Sequence, residues 1–232
     1  MIVRLPGGEE VTETITFNKS GITIIPGVYG ANRYAMGELF STYAAASFVD
    51  GPVATITSRC TIGGLGFASR DTGALFYDGA AMLIGGQADA TPFGVNIVNC
   101  RFPKWGLDNR IGIAIEGGSD ILIEGCDFEG VGADFDSGVY VQGASQNISI
   151  LNNHFRDCTY AVVFGAFAGG GPECMIGHNV CEGSKLLSAP SAATGLVFDN
   201  WLMTATDSGS YNTTVNALNA LGLQFSDNHY AE

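Results

Sequence analysis

The feature that most constrains this chain is a short pattern that recurs about every twenty-six residues. It is visible in GVNIVNCRFP, ILIEGCDFEG and NISILNNHFR, which align so that Cys100, Cys126 and Asn153 share one column. Self-similarity at a period of roughly 20 to 50 residues is typical of stacked-repeat architectures. The repeat is therefore the first guide to the fold.

Columns of like residues extend the pattern along most of the chain. With Cys126 as reference, the anchor residues are Gly27, Leu65, Cys100, Asn153, Asn179, Asn200 and Asn228. Three places earlier lie the apolar residues Ile62, Ile97, Ile123, Ile150, Ile176, Val197 and Phe225. Five places earlier lie Cys60, Val95, Ile121, Ile148, Cys174, Gly195 and Leu223. A spacing of two puts both columns on one face of a strand.

A corner follows each of these strands. The residue before the anchor is of a type that tolerates or favours positive φ: Gly64, Asn99, Gly125, Asn152, His178, Asp199 and Asp227. Two places past the anchor a second inward column begins, formed by Phe67, Phe102, Phe128, Phe155, Cys181, Leu202 and Tyr230. Each repeat thus contains a strand, a one-residue corner and another strand.

Between the anchors lies a third strand-like run, seen in GIAIEG from Gly112, GVYVQG from Gly138 and AVVFG from Ala161. Three short strands per repeat predict an all-β fold, a single-stranded right-handed parallel β-helix of about seven to eight coils. We expect one domain over residues 1–232, with lateral loop insertions around 30–52 and 68–93. Both insertions are rich in Ala, Gly and aromatic residues, so they either form a contact surface or pack back on the rod.

Charge limits the partners of this chain. The net charge is −13 with only 10 Lys and Arg, which argues against binding to nucleic acid or to an anionic membrane surface. Of the 6 cysteines, all but Cys158 fall in inward columns, where buried thiols behave as small hydrophobic groups. Cys158 lies in a turn, and we expect it to be the most reactive thiol. The absence of a CxxC pair gives a structural zinc site no support.

The ends of a parallel β-helix expose unpaired backbone and a bare core unless something covers them. The chain stops 2 residues after Tyr230, and no amphipathic helix precedes the strand pattern VTETITF. We therefore expect another copy of the chain, another protein, or the rest of a longer parent chain to cover at least one end.

Several motifs carry a family resemblance. PGG at Pro6, VTETITFNKSGITIIPG from Val11, and the recurring pattern seen in IVNCRF and IEGCDF resemble the pectate-lyase-like right-handed β-helix family, particularly bacteriophage tailspike-like and virion decoration proteins. The resemblance implies a homotrimer on the virion surface, made in the host cytoplasm and in contact with other virion proteins. Some such proteins bind or cleave bacterial surface polysaccharide, while others only decorate the particle.

Polysaccharide-cleaving members of such a family imply acidic clusters, with calcium and an Arg or Lys base in lyases and with paired aspartates in hydrolases. One position past the anchor, Arg101, Asp127 and His154 are expected to lie one coil apart and to point outward. Opposite charges at such positions also stabilise strands by roughly 0.2 to 1 kcal/mol per pair, and we expect that structural role here. His178, in the corner column, is expected to form the corner.

Asp134 and Asp136, in GADFDSG, are the other acidic candidates, and a solvated turn explains them equally well. The sequence therefore assigns no catalytic residue, metal or cofactor.

The leading hypothesis is a non-enzymatic, trimeric β-helix protein of the bacteriophage virion surface. A tailspike-type polysaccharide lyase or glycoside hydrolase is the alternative. A glycan-binding adhesin is a further one, for which Trp105 and Trp201 would form an exposed platform.

Overall fold

The chain folds as a parallel β-helix. The computed structural model describes residues 2–5, 10–11, 15–26, 37–41, 52, 54–68, 80–86, 91–103, 111–130, 137–165, 172–188, 193–203 and 222–230. These residues form 23 strands and no helix. The strands of the first half are β1 Ile2–Leu5, β2 Glu10–Val11, β3 Ile15–Phe17, β4 Ile22–Pro26, β5 Gly37–Ser41, β6 Ala54–Ile56, β7 Cys60–Gly63, β8 Leu65–Ala68, β9 Ala80–Ile84, β10 Phe93–Val98, β11 Arg101–Phe102 and β12 Ile111–Glu124.

The strands of the second half follow the same order of short elements. They are β13 Asp127–Glu129, β14 Ser137–Leu151, β15 His154–Arg156, β16 Tyr160–Phe164, β17 Glu173–Gly177, β18 Val180–Glu182, β19 Lys185–Ser188, β20 Thr194–Phe198, β21 Trp201–Leu202, β22 Leu223–Ser226 and β23 His229–Tyr230.

The strands stack into three faces. The first face has the order β1-β4-β7-β10-β12-β14-β17-β20-β22, and the second face has the order β2-β5-β8-β11-β13-β15-β18-β21-β23. The third face contains β3, β6, β9, the start of β12, the start of β14, β16 and β19. Every pairing among the described strands is parallel, which confirms the predicted parallel β-helix.

The inward columns predicted from the repeat are confirmed by the register. Ile97 pairs with Ile123, which pairs with Ile150, and all three are buried. On the second face Phe102 pairs with Phe128, and Phe128 pairs with Phe155. Their rings stack with centroid separations of 4.7 and 4.8 Å, so one coil rises by about one strand spacing. These columns form the single core of the rod.

The corner column is also confirmed. Asn99, Asn152 and His178 have φ of 52°, 57° and 56°, and the corner glycines Gly64 and Gly125 have φ of 68° and 64°. This left-handed backbone region is accessible to Gly and is tolerated best by Asn and Asp among the other residues. His178 therefore forms a corner, as predicted.

The N-terminal coils differ from the alignment in one respect. The second-face strand that pairs with Leu65 begins at Gly37, whereas the repeat suggested Gly27, which lies outside the described residues. Two stretches within the predicted insertions are coil strands, because Gly37–Ser41 pairs with β8 and Ala80–Ile84 pairs with β6 and β12. Most of the remaining insertion residues lie outside the described part of the chain.

The anchor column builds a hydrogen-bonded spine inside the C-terminal coils. The Asn153 N–H donates to Asn179 Oδ1 at 2.9 Å, and the Asn179 N–H donates to Asn200 Oδ1 at 3.0 Å. The Asn179 Nδ2 also donates to the Ile150 carbonyl at 3.0 Å. Each buried amide thus satisfies main-chain groups of neighbouring coils, as burial of polar groups requires.

All 6 cysteines are buried and none forms a disulfide bond, which confirms the inward placement of five of them. Cys158, which we expected to be the most reactive thiol, is 3% exposed, so it is buried like the other five.

Candidate functional site

The outer surface of the second face gathers most of the predicted candidates. Because side chains alternate along a strand, the residues between and beside the buried Phe102, Phe128 and Phe155 point outward. We call this surface the outer grid. Its members are Arg101, Asp127, Glu129, His154, Arg156, Val180, Glu182, Trp201, Met203 and His229.

The structure brings the predicted trio together. Arg101 lies opposite Asp127 in the register, and Asp127 lies opposite His154. The Arg101 Nε is 3.7 Å from Asp127 Oδ2, and His154 Nδ1 is 3.7 Å from Asp127 Oδ1. The prediction that these three side chains form a column across adjacent coils is therefore confirmed.

Three further charged residues belong to the same network and were not grouped with the trio from the sequence. Arg156 donates to Asp127 from Nη2 at 2.8 Å and from Nε at 3.3 Å. Glu129 lies 3.8 Å from Arg101 Nη2, and Glu182 lies 3.4 Å from His154 Nε2. The alternation of side chains along a strand could have identified them. Each lies two positions after a residue in the column of Arg101, Asp127 and His154, and therefore points outward on the same strand.

The network pairs each of its carboxylates with a cation or an imidazole. The hydrogen bond to Asp127 raises the pKa of Arg156 above its usual value, desolvation opposes that shift, and the charges of Asp127, Glu129 and Glu182 add to it. Each of these carboxylates forms an ion pair or an imidazole contact that links neighbouring coils. A general acid, by contrast, must carry a proton and be able to approach its substrate. The geometry favours the structural role that we expected for this column.

The C-terminal part of the outer grid is apolar. Val180 pairs with Trp201, and Trp201 pairs with His229. The indole of Trp201 is 53% exposed and stacks on the His229 ring with centroids 4.6 Å apart. Met203, two positions further on, is also 53% exposed. The rod therefore presents an aromatic and apolar surface directly beside the charged network.

Asp199 contacts both His229, in this apolar surface, and the corner residue His178. Its Oδ1 is 3.0 Å from His229 Nε2, and its Oδ2 is 2.8 Å from His178 Nδ1. Asp199 and His178 both occupy the positive-φ corner, with φ of 49° and 56°. One carboxylate thus bridges two imidazoles and fixes the ring on which Trp201 stacks.

Asp134, Asp136 and Trp105 lie outside the described residues. Within the described part of the chain, no group of three or more His, Cys, Asp or Glu side chains has an arrangement that could hold a metal ion. Nor does any helix in that part have the length and apolar character needed to cross a membrane.

Comparison with known proteins agrees with the architecture. The family model described as the right handed beta helix region matches residues 79–229, which include every residue of the outer grid. No curated protein and no solved structure matches the chain.

Proposed function

The chain belongs to the right-handed β-helix family, and we propose that it is a non-enzymatic protein of a bacteriophage virion surface that binds bacterial surface polysaccharide. The observation that carries the proposal is the pairing within the outer grid. Asp127, Glu129 and Glu182 each lie within 4.0 Å of a cationic or imidazole nitrogen of the same surface. These groups hold adjacent coils together and so support a binding or structural role over acid–base chemistry.

The shape of the outer grid also supports polymer binding. From Arg101 to His229 the grid crosses six layers, and at roughly 4.8 Å per layer it is about 24 Å long. A strip of this length matches several units of an extended polysaccharide. The net charge of −13 disfavours strongly acidic polymers, because the whole chain repels them.

Incubation with surface glycans tests the proposal. We expect the purified chain to sediment with capsule or lipopolysaccharide preparations and to release neither new reducing ends nor unsaturated sugar products. Release of unsaturated products would establish a lyase instead, and release of reducing ends alone would establish a hydrolase. An adhesin without a virion would bind glycan equally well, so purified particles should also be probed with antibody against the chain.

The homotrimer is part of the same proposal. The resemblance to tailspike-like and decoration proteins supports it, because those proteins typically assemble as trimers. Light scattering coupled to size exclusion should give a mass three times that of the 24.2 kDa chain. A mass of one chain at micromolar concentration would remove the trimer from the proposal and leave the glycan-binding role to be decided separately.

A further inference from the structure

We propose that the outer grid contains a saccharide subsite over Val180, walled by Trp201 on one side and by His154 on the other, with the Glu182 carboxylate beside it, that takes one neutral pyranose unit. The inference rests on the proposed glycan-binding function and specifies its site and sugar class. The feature that carries it is a short side chain between two longer ones in a single outward column.

The register sets the dimensions of this subsite. Val180 lies one layer from His154 and one layer from Trp201, so the two walls belong to strands two layers apart, about 9.6 Å. A ring placed over Val180 would lie roughly 4.8 Å from the indole. The core rings Phe102 and Phe128 stack at 4.7 Å, so this gap is one ring deep. Val180 carries no ring, whereas His154 and Trp201 in the layers on either side of it do.

The subsite offers an aromatic face and a hydrogen-bond acceptor, which are the two kinds of group that bind a pyranose. One face of Trp201 is covered by His229, and Val180 lies in the layer on the opposite side of Trp201 from His229. An indole face attracts the C–H face of a sugar through dispersion and its negative quadrupole. The Glu182 carboxylate, on the same strand as Val180 and 3.4 Å from His154 Nε2, is 58% exposed and can accept hydrogen bonds from sugar hydroxyls at lone pairs that His154 does not use.

The residues behind the indole act as positioning residues. His229 stacks on Trp201, and Asp199 holds His229 at 3.0 Å and His178 at 2.8 Å. The aromatic wall is therefore fixed before any ligand arrives, which lowers the entropic cost of binding.

Charge determines the sugar class. The exposed carboxylate of Glu182 adjoins the subsite, and the chain carries a net charge of −13. A uronic acid would bring a second carboxylate next to these charges, whereas a neutral hexose or deoxyhexose would bring hydroxyl donors to Glu182. We therefore expect binding of neutral oligosaccharides and rejection of their uronic acid counterparts.

Tryptophan fluorescence tests the subsite directly. The chain has 2 tryptophans, so a Trp105→Phe background leaves Trp201 as the reporter. The probes are hexasaccharides of glucose, galactose, mannose and rhamnose, with oligogalacturonate as the acidic comparison. We expect saturable quenching or enhancement by at least one neutral probe and at least tenfold weaker binding of oligogalacturonate.

The decisive variant is Val180→Phe, which fills the gap and leaves both walls in place. It should weaken binding at least tenfold, while Leu196→Ala, an exposed apolar change on the first face, should leave it unchanged. Asp199→Asn should reduce affinity more mildly and increase the rotational freedom of Trp201, seen as lower fluorescence anisotropy. Circular dichroism and a melting curve would establish that each variant keeps the fold.

Each outcome decides a separate point. Neutral binding that survives Val180→Phe in a folded variant overturns the subsite but leaves the glycan-binding function intact. Preference for oligogalacturonate overturns the sugar class. Failure of every probe overturns the subsite, whereas failure of native capsule and lipopolysaccharide to bind also overturns the proposed function.

Discussion

Arg156 reaches back one coil and donates two hydrogen bonds to Asp127, from Nη2 to Oδ2 at 2.8 Å and from Nε to Oδ1 at 3.3 Å. The register places Arg156 opposite Glu129, so the contact with Asp127 is diagonal across the strand pair. A planar guanidinium fork suits this arrangement, because its donors match both carboxylate oxygens at once.

The first prediction concerns this pair. Both side chains are about one third exposed, so solvent screens their attraction, and Arg156→Ala should lower the free energy of unfolding by roughly 0.5 to 1 kcal/mol. Arg156→Lys should recover only part of the loss, since an ammonium cannot bridge both oxygens. Urea denaturation of Arg156→Ala, Asp127→Asn and the double variant gives the coupling energy. Additive single effects would contradict the pairing.

The second prediction concerns the internal amide spine. Asn179→Ala removes the acceptor of the Asn153 N–H and the donor to the Ile150 carbonyl, and both groups are in the buried core. Leaving two such groups unsatisfied should cost about 2 to 4 kcal/mol. Gln224→Ala, at an exposed strand position, should change stability by less than about 0.5 kcal/mol. Equal losses in the two variants would show that the spine contributes little.

The third prediction compares two glycines with positive φ. Gly195 has φ of 130°, and an added Cβ would collide with the Cys174 backbone carbonyl of the neighbouring coil. Gly21 has φ of 75° with nothing within 4 Å of an added Cβ. Gly195→Ala should therefore cost more than about 3 kcal/mol, and Gly21→Ala only about 1 to 2 kcal/mol. Thermal unfolding of both variants checks the ranking, and a reversed order would contradict the close coil contact.

The fourth prediction concerns the buried thiols. Burial raises the pKa of Cys60 to about 11 and that of Cys174 to about 12. In the unfolded chain these thiols ionise near pH 9, so above that pH the unfolded state binds fewer protons and stability falls with rising pH. The contribution is intact below pH 9 and is lost as pH rises through the folded values.

Thiol alkylation and denaturation measure this effect. Iodoacetamide at pH 8.5 should leave the native cysteines unmodified over hours and should modify all 6 after unfolding. The urea midpoint should decline between pH 9 and 11, and the decline should be smaller in Cys60→Ala than in the wild-type chain. Rapid labelling of the native protein, Cys158 included, would contradict the burial.

The fold could be predicted from the sequence because its repeat carries several independent columns. The apolar positions fix which face is buried, and the corner types at Asn99, Asn152 and His178 fix where the chain turns. The second-face strand of the second coil was placed incorrectly, because ten residues separate Pro26 from Gly37 in the sequence and no anchor residue precedes Gly37 directly.

The candidate site was predicted only in part. The alignment predicted that Arg101, Asp127 and His154 lie close together, because they share one column, and the register agrees. The subsite over Val180 could not be read in the same way, because a small residue is informative only when the size of its neighbours in adjacent layers is known. The bridging of two imidazoles by Asp199 likewise depends on side-chain directions at a corner, which a column of residue types does not give.

The internal anchor column changes its chemistry between Cys126 and Asn153, where the Cys126 N–H donates to Asn153 Oδ1 at 2.9 Å. Before this point sulfur and aliphatic groups fill the column, and after it the backbone N–H of each asparagine from Asn153 to Asn200 donates to the side-chain oxygen of the next asparagine. If one coil were shifted by one layer in the stack, a thiol would occupy the position of a carboxamide. Polar groups of the buried core would then be left without hydrogen-bond partners. The change from sulfur to amide along this column therefore helps to specify which coil stacks on which, among coils that are otherwise alike.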